Sequence, residues 1–238
     1  MNKAVKLLIF IVIIPFITQA QSTKRQMAGL SIGPSFTLSA FAKKDISDST
    51  SGFAKTGISI NFNYAFRVSH NFGLQILVNY SGNALNTSAY ADELMKVHPE
   101  YGVSVESSKN WSSGGIFGGP YLRFPIGDLF SFDVRGLIGF FGSYSPQATI
   151  YANHLTKPDD KGTYYRESSR STGFGYLLGA GVKYRLSHYY LTAFADYVGA
   201  DLNFKDASGW NWDDEPYTTT FSQKINYLAL TFGVAYIL

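Results

Sequence analysis

The chain has 238 residues, 45% hydrophobic and 16% aromatic, a formal net charge of +3 and no cysteine. That length suits one domain with a sizeable core. The lack of cysteine excludes disulfides, and the near-neutral charge excludes the basic footprint of a nucleic-acid binder.

The N-terminus opens with Lys3 and Lys6, followed by an apolar run from Leu7 to Ile17 broken only by Pro15. Thr18-Gln19-Ala20 then supplies a small-x-small cleavage site, completing the three-part layout of a secretory signal. Eleven residues at about 1.5 Å rise cover about half of a bilayer core, too little for an anchor. No cysteine follows the run, so this is not the leader of a lipoprotein. The reading is a cleaved signal at 1–20 and one domain at 21–238, whose charge falls to about +1 when the two lysines leave. No later run reaches the length of a membrane helix, so any spanning falls to strands.

Period-2 alternation then predicts eight strands, near 27–38, 56–68, 72–82, 114–124, 129–142, 172–186, 189–199 and 222–238. The sixth shows the pattern well. Phe174, Tyr176, Leu178, Ala180, Val182, Tyr184 and Leu186 form one face, and Gly173, Gly175, Leu177, Gly179, Gly181, Lys183 and Arg185 the other. Gly33-Pro34 and Gly119-Pro120 fall inside the first and fourth strands. Proline removes a ladder hydrogen bond, so a bulge is expected at each.

The minor face is rich in Gly, Ala and Ser with sparse charges: Arg67, Arg123, Asp133, Arg135, Lys183, Arg185 and Asp196. Small residues fit the narrow lumen of an eight-stranded barrel, so the apolar face is assigned to lipid. Most of the seven charges lie near short connections. An isolated buried charge is costly, so they are expected to pair into a network that plugs the lumen, not to line a conducting channel.

Short connections at 69–71, 125–128 and 187–188 alternate with long ones at about 39–55, 83–113, 143–171 and 200–221. That alternation is the outer-membrane pattern of tight periplasmic turns and large extracellular loops. Aromatics gather near the short turns (Phe66, Phe72, Phe124, Phe130, Phe132, Tyr184, Tyr189, Tyr190, Tyr236) and near the opposite ends (Tyr80, Phe140, Phe174, Tyr197, Phe221), as two interfacial belts would. Within 143–171, Ala148–Ala152 and Thr163–Arg166 look extended around the turn 157–162. They are too polar to face lipid, so a hairpin above the membrane is expected.

The chain closes on Thr231-Phe232-Gly233-Val234-Ala235-Tyr236-Ile237-Leu238, alternating to its last residue. A bare apolar edge is a liability in water, whereas a closed barrel pairs it with strand one. Gly233, Tyr236 and Leu238 resemble the C-terminal assembly signal of outer-membrane barrels, with Leu where Phe is commoner. Together with Ala28-Gly29-Leu30-Ser31-Ile32-Gly33 and Leu178-Gly179-Ala180-Gly181-Val182-Lys183-Tyr184-Arg185-Leu186-Ser187, this tail gives a chain that resembles the small outer-membrane β-barrel family of Bacteroidota, akin to OmpA and OmpX. The resemblance covers 21–238. It implies outer-membrane lipid and lipopolysaccharide as surroundings and the outer-membrane assembly machinery as a partner. Such families hold adhesins, structural anchors and a few lipid-modifying enzymes.

For chemistry, His70 and His188 sit in short turns and His98 and His154 in long loops. None lies on a lipid-facing strand where acyl chemistry needs a base. Trp210-Asn211-Trp212-Asp213-Asp214-Glu215 is the sharpest local feature, in a loop of net charge about −4. Trp210, Trp212, Asp213, Asp214 and Glu215 are the candidate ligand-binding residues. Clustered carboxylates suit Ca²⁺ in principle, but their spacing matches no metal-binding loop, so no metal or cofactor is assigned. Asp48-Ser49-Thr50 resembles a short O-glycosylation motif, and Asn86-Thr87-Ser88 has the N-glycosylation spelling.

The sequence therefore predicts an all-β protein: an eight-stranded antiparallel up-and-down transmembrane β-barrel with four long extracellular loops. It is placed in the outer membrane, with a structural or surface-binding role, no enzyme activity, no substrate-sized pore and an unknown extracellular ligand. The alternatives are a narrow channel and a lipid A-modifying enzyme.

Overall fold

In the computed structural model, residues 26–157 and 159–238 are described; the predicted signal at 1–20 lies outside them. Alternating sequence becomes eleven antiparallel strands. They are β1 (Gln26–Thr37), β2 (Gly57–Arg67), β3 (Phe72–Asn83), β4 (Tyr101–Glu106), β5 (Trp111–Ile126), β6 (Phe130–Tyr144), β7 (Ala148–His154), β8 (Lys161–Arg166), β9 (Arg170–Leu186), β10 (Tyr189–Trp210) and β11 (Pro216–Ile237). Two helices, α1 (Ser39–Ala42) and α2 (Thr87–Val97), lie in the long connections.

Eight strands close a ring in the order β11-β1-β2-β3-β5-β6-β9-β10, with β10 pairing back to β11. The fold is an eight-stranded antiparallel up-and-down barrel. Closure pairs the C-terminal strand with the first, from Met27↔Ile237 to Thr37↔Tyr227, so neither edge is left open. The strands β4, β7 and β8 stand outside the ring as a crown on β10, through Gly209↔Arg166 and Trp210↔Tyr165. The hairpin expected within 143–171 is β7–β8, paired from Ala148↔Arg166 to Asn153↔Lys161.

Two expectations are corrected. Neither proline makes a bulge: the register of β1 on β11 and of β5 on β6 is the same on both sides of Pro34 and Pro120, and only the pairs at those dipeptides are skipped. The preceding glycine explains how. A Cβ on Gly33 would sit 1.8 Å from the Leu230 carbonyl oxygen, and one on Gly119 2.5 Å from that of Gly136. The neighbouring backbone presses in where no side chain stands, so the missing donor costs a rung and not a residue. The register shift lies elsewhere, between Phe204 and Ala207 on β10, where Asp206 takes a left-handed φ of 55°. Second, the last long connection is short: β10 and β11 run on as a ladder up to Trp210↔Pro216, leaving 211–215 as the turn.

The outward face of the ring is apolar. Phe130, Phe132, Val134, Ile138 and Phe140 along β6 are all exposed. Ten residues at about 3.3 Å, tilted by about 40°, give a band of about 25 Å along the axis, the height that membrane barrels present to lipid. Above the band the outward residues turn polar, as Tyr197 gives way to Asp201, Asn203 and Lys205 on β10. Tyr189–Tyr236 and Phe130–Tyr184 ring pairs mark one rim, and Phe140–Phe174 and Tyr176–Tyr197 the other. Two expected belt members point inward instead. Tyr190 is buried in the lumen, and Phe221 stacks on the buried Phe204 at 4.9 Å.

Inside, Leu77, Phe117, Leu137, Phe141, Leu177 and Val198 pack as one cluster. Beside them the Tyr227 hydroxyl donates to Asn79 Oδ1, and Asn79 Nδ2 donates to Asn61 Oδ1 at 2.7 Å. At the long-loop end α1 places Phe41 over the lumen, edge-on to Trp111 at 5.5 Å, and Trp111 Nε1 donates to the Gly52 carbonyl.

Candidate functional site

The crown forms because β10 continues past the apolar band and offers an edge to β8. β7 pairs with β8, and β4 with β7 from Tyr101↔His154 to Glu106↔Thr149. Helix α2 packs on β4. Its N-cap is Asn86, whose side chain accepts from the Ala89 N–H at 3.3 Å, as Asn caps do. The Asn86-Thr87-Ser88 spelling is thus a helix start.

At the tip, the Asn211 side chain accepts from the backbone N–H groups of Asp213 and Glu215 at 3.0 and 2.9 Å, and Asp214 has a φ of 55°. This Asx-type turn swings Trp212 back over β8. A Cβ on Gly162 would lie 3.1 Å from the indole, so the bare backbone there lets the ring settle close. The indole also meets the Tyr164 ring at 5.6 Å, and Tyr164 stacks on Tyr217 at 5.3 Å.

These elements enclose a cleft of about 390 Å³, walled by Trp212, Asp213, Tyr101, His98, Asp160 and Lys161 over an aliphatic floor that includes Val103 and Ile150. Trp212 keeps 46% of its surface exposed. The Tyr101 hydroxyl donates to Asp160 Oδ2 at 3.3 Å. Partial loss of solvent, then the Asp160 carboxylate, push its phenol up, so it stays a donor at neutral pH. The cleft thus offers an aromatic face beside acids, a phenol and an ammonium, which suits a neutral hydroxyl-rich ring better than a strongly charged ligand.

Of the five candidate binding residues, Trp212 and Asp213 line this cleft. Trp210 faces a separate depression with Tyr217 and Thr218, and Asp214 and Glu215 stay exposed in the turn. Among the described residues no three His, Asp or Glu side chains are grouped to hold a metal. His98 and His154 both converge on Tyr101. His154 meets its ring edge-on at 5.1 Å, with Nδ1 3.2 Å from the Thr156 N–H, and His98 lies 3.6 Å from Glu100. In the first long connection, Lys43 and then Thr50 hold the Asp48 carboxylate well below its usual range, and the Thr50 hydroxyl is already donated to Asp48.

The seven lumen charges divide. Arg135 Nε and Nη2 donate to both oxygens of Asp196 at 2.8 and 2.6 Å, reaching across Gly179, which pairs with both residues. Lys183 meets Asp133 at 2.7 Å, and Arg135 lies 4.0 Å over the Phe194 ring. Arg67, Arg123 and Arg185 do not join them. They line a cavity of about 480 Å³ at the short-turn end, and no carboxylate of the described residues lies within 4.0 Å of their guanidinium nitrogens. At the seam, Gly233 pairs with Ser31, Tyr236 with Ala28, and the Leu238 N–H donates to the Gln26 carbonyl at 3.0 Å.

Tyr101, Asp160 and Lys161 carry no motif. The register of β4, β7 and β8 brings them to Trp212; the hairpin expected around 157–162 signalled Asp160 and Lys161, and the short alternation in 101–106 was the signal for Tyr101.

No protein-family model matches the chain, and no curated protein matches it. Solved structures do resemble it. Ail, the attachment invasion locus protein of Yersinia pestis, shares 15% identity over 89% of this chain and 99% of its own, with a TM-score of 0.42. A major outer membrane protein of Thermus thermophilus shares 11% over 89% and 98%, with a TM-score of 0.47. Neisserial surface protein A shares 10% over 91% and 98%, with a TM-score of 0.40. These neighbours are small outer-membrane β-barrel proteins.

Proposed function

We propose that this chain is an integral outer-membrane barrel that binds a saccharide at its crown. The signal at 1–20 exports it, and the seam residues Gly233, Tyr236 and Leu238 guide its assembly. The apolar band sits in outer-membrane lipid beside lipopolysaccharide, with the crown outside the cell and the short turns in the periplasm. The observation that carries the binding role is the cleft itself. Two long connections and the β10–β11 turn are fixed by strand pairing to present Trp212 and Tyr101 beside Asp160, Asp213 and Lys161. A sugar ring stacks on an exposed indole and gives its hydroxyls to the carboxylates, and aromatic anchors of this kind dominate binding energy.

Glycan-array binding of the purified protein in a neutral detergent tests this. Trp212→Ala is expected to weaken the bound glycan by roughly 30-fold, about 2 kcal/mol, with the heat-dependent gel shift of a folded barrel intact. An array with no hit, or equal binding by the folded variant, removes the cleft from consideration. The filled lumen argues against the channel alternative. Planar-bilayer recordings are expected to stay silent over many insertions, and steady unitary steps would restore the channel. The enzyme alternative has less support, since His98 and His154 stand on the crown, off the apolar band.

A further inference from the structure

We propose a second binding site: the cavity at the short-turn end takes a soluble organic phosphate. Arg67, Arg123 and Arg185 enter it from β2, β5 and β9, with His70 and, as the single carboxylate among the described residues on its walls, Asp128. Three guanidinium groups around one carboxylate leave an uncompensated positive charge, with Arg67 and Arg123 partly buried and Arg185 exposed at the mouth.

Their bonding capacity is unspent. Arg123 lies over the Tyr190 ring at 5.3 Å, yet its Nε is buried with no hydrogen-bond partner. A buried donor without a partner is uncommon and calls for a ligand or another explanation. The lumen charges deeper in are engaged, Lys183 with Asp133 and Arg135 with Asp196. The three arginines were therefore left free beside carboxylates that satisfy other cations.

The rim is also preorganised. Asn71, between β2 and β3, accepts from the Arg123 N–H through its carbonyl and donates Nδ2 to the Arg123 carbonyl, both at 2.8 Å. The Arg185 N–H donates to the Leu129 carbonyl at 2.7 Å. These bonds fix the backbone at two of the arginines.

The chemistry selects the ligand class. A guanidinium fork fits phosphate and carboxylate oxygens alike, but three forks exceed the two oxygens of one carboxylate and suit a phosphate. The cavity, at about 480 Å³, is larger than a bare phosphate needs. Tyr121, Tyr190 and Met27 on its walls offer apolar surface to an organic substituent. The arginines face the lumen, not the lipid, so the ligand arrives from water along the barrel axis. That the water is periplasmic rests on the orientation proposed above; the binding does not.

Phenyl phosphate titrated calorimetrically into the folded barrel in a neutral glycosidic detergent tests this. One saturable site is expected, weakened at least tenfold by Arg123→Gln and abolished by Arg67→Gln with Arg185→Gln. Arg123→Lys, which keeps the charge, is expected to lose part of the affinity. Arg170→Gln, on an exposed strand end among the long connections, is expected to lose none. The heat-dependent gel shift verifies that each variant is folded. In phosphatidylcholine nanodiscs, added phosphatidylglycerol should leave the affinity unchanged; competition by that lipid would overturn the soluble ligand in favour of a headgroup. Absence of saturation, or equal weakening by Arg170→Gln, overturns the site.

Discussion

Replacing Asp196 with alanine is expected to lower the unfolding free energy of the barrel by about 3–5 kcal/mol. Asp196 and Arg135 are 0% and 3% exposed in their side chains, and their two bonds are the forked geometry that stabilises a buried pair. Alanine leaves a buried guanidinium in the lumen without the carboxylate that pairs it. The loss should come from the orphaned charge rather than from the pair, so Asp196→Ala with Arg135→Met should recover to within about 1 kcal/mol of the parent. Gly179→Ala should mimic the single substitution, because its Cβ would stand 2.0 Å from Asp196 Oδ1. Urea unfolding in lipid vesicles, followed by tryptophan fluorescence and extrapolated linearly, measures all three. An Asp196→Ala midpoint equal to the parent's would mean that water reaches Arg135 and that the lumen is wetter than its side chains indicate.

Gly33→Val is expected to prevent closure. Gly33 lies at the seam where β11 meets β1, and a Cβ there would meet the Leu230 carbonyl oxygen at 1.8 Å and Thr231 Cα at 3.0 Å. The intruded atoms are backbone, so no rotamer change relieves the clash. Overpacking costs about 1–3 kcal/mol and occasionally more, and here it falls on backbone that cannot yield, at the pairing that makes a sheet into a barrel. The folded band on unboiled gels should fall by at least about tenfold. Gly82→Ala is the control: its Cβ would find nothing nearer than the Tyr80 hydroxyl at 3.7 Å, and a change within about 0.5 kcal/mol is expected. If the two variants fold alike, β11 does not press on Gly33 as described.

The ring strands were legible because each carries one face for lipid and one for a narrow lumen, and that contrast persists for ten residues or more. The upper halves of β10 and β11 were not. Alternation continues there, with Leu202 and Phe204 inward, but the outward residues become Asp201, Asn203 and Lys205. A reading tuned to apolar outward faces stops where the apolar band stops. Helix α2 was missed for a related reason: Asn86 reads as a cap only once the segment after it is seen to be helical. The lumen pairs were half legible. Charge and strand position picked out all seven residues, yet the sequence could not say that Asp133 and Asp196 would each choose one cation and leave three arginines unpaired, because that depends on which rows of the barrel share a level. The cleft was legible only at Trp212 and Asp213. Its other walls depend on long-range register, which no local pattern encodes.

The continuity of β10 and β11 has a mechanical consequence. Anything held at the crown pulls on the tip of a hairpin whose two strands continue into the wall of the barrel, paired from Tyr189↔Tyr236 up to Trp210↔Pro216 with one register shift between Phe204 and Ala207. Tension on that tip pulls both strands together, so it loads their ladders with β9 and β1 in shear, many bonds side by side, instead of peeling them one after another. The same two strands are flanked by β9 and β1 through the apolar band, so the load spreads around the ring. A partner held at Trp212 would thus be tethered to the barrel wall itself, and under force it should let go before the anchor does.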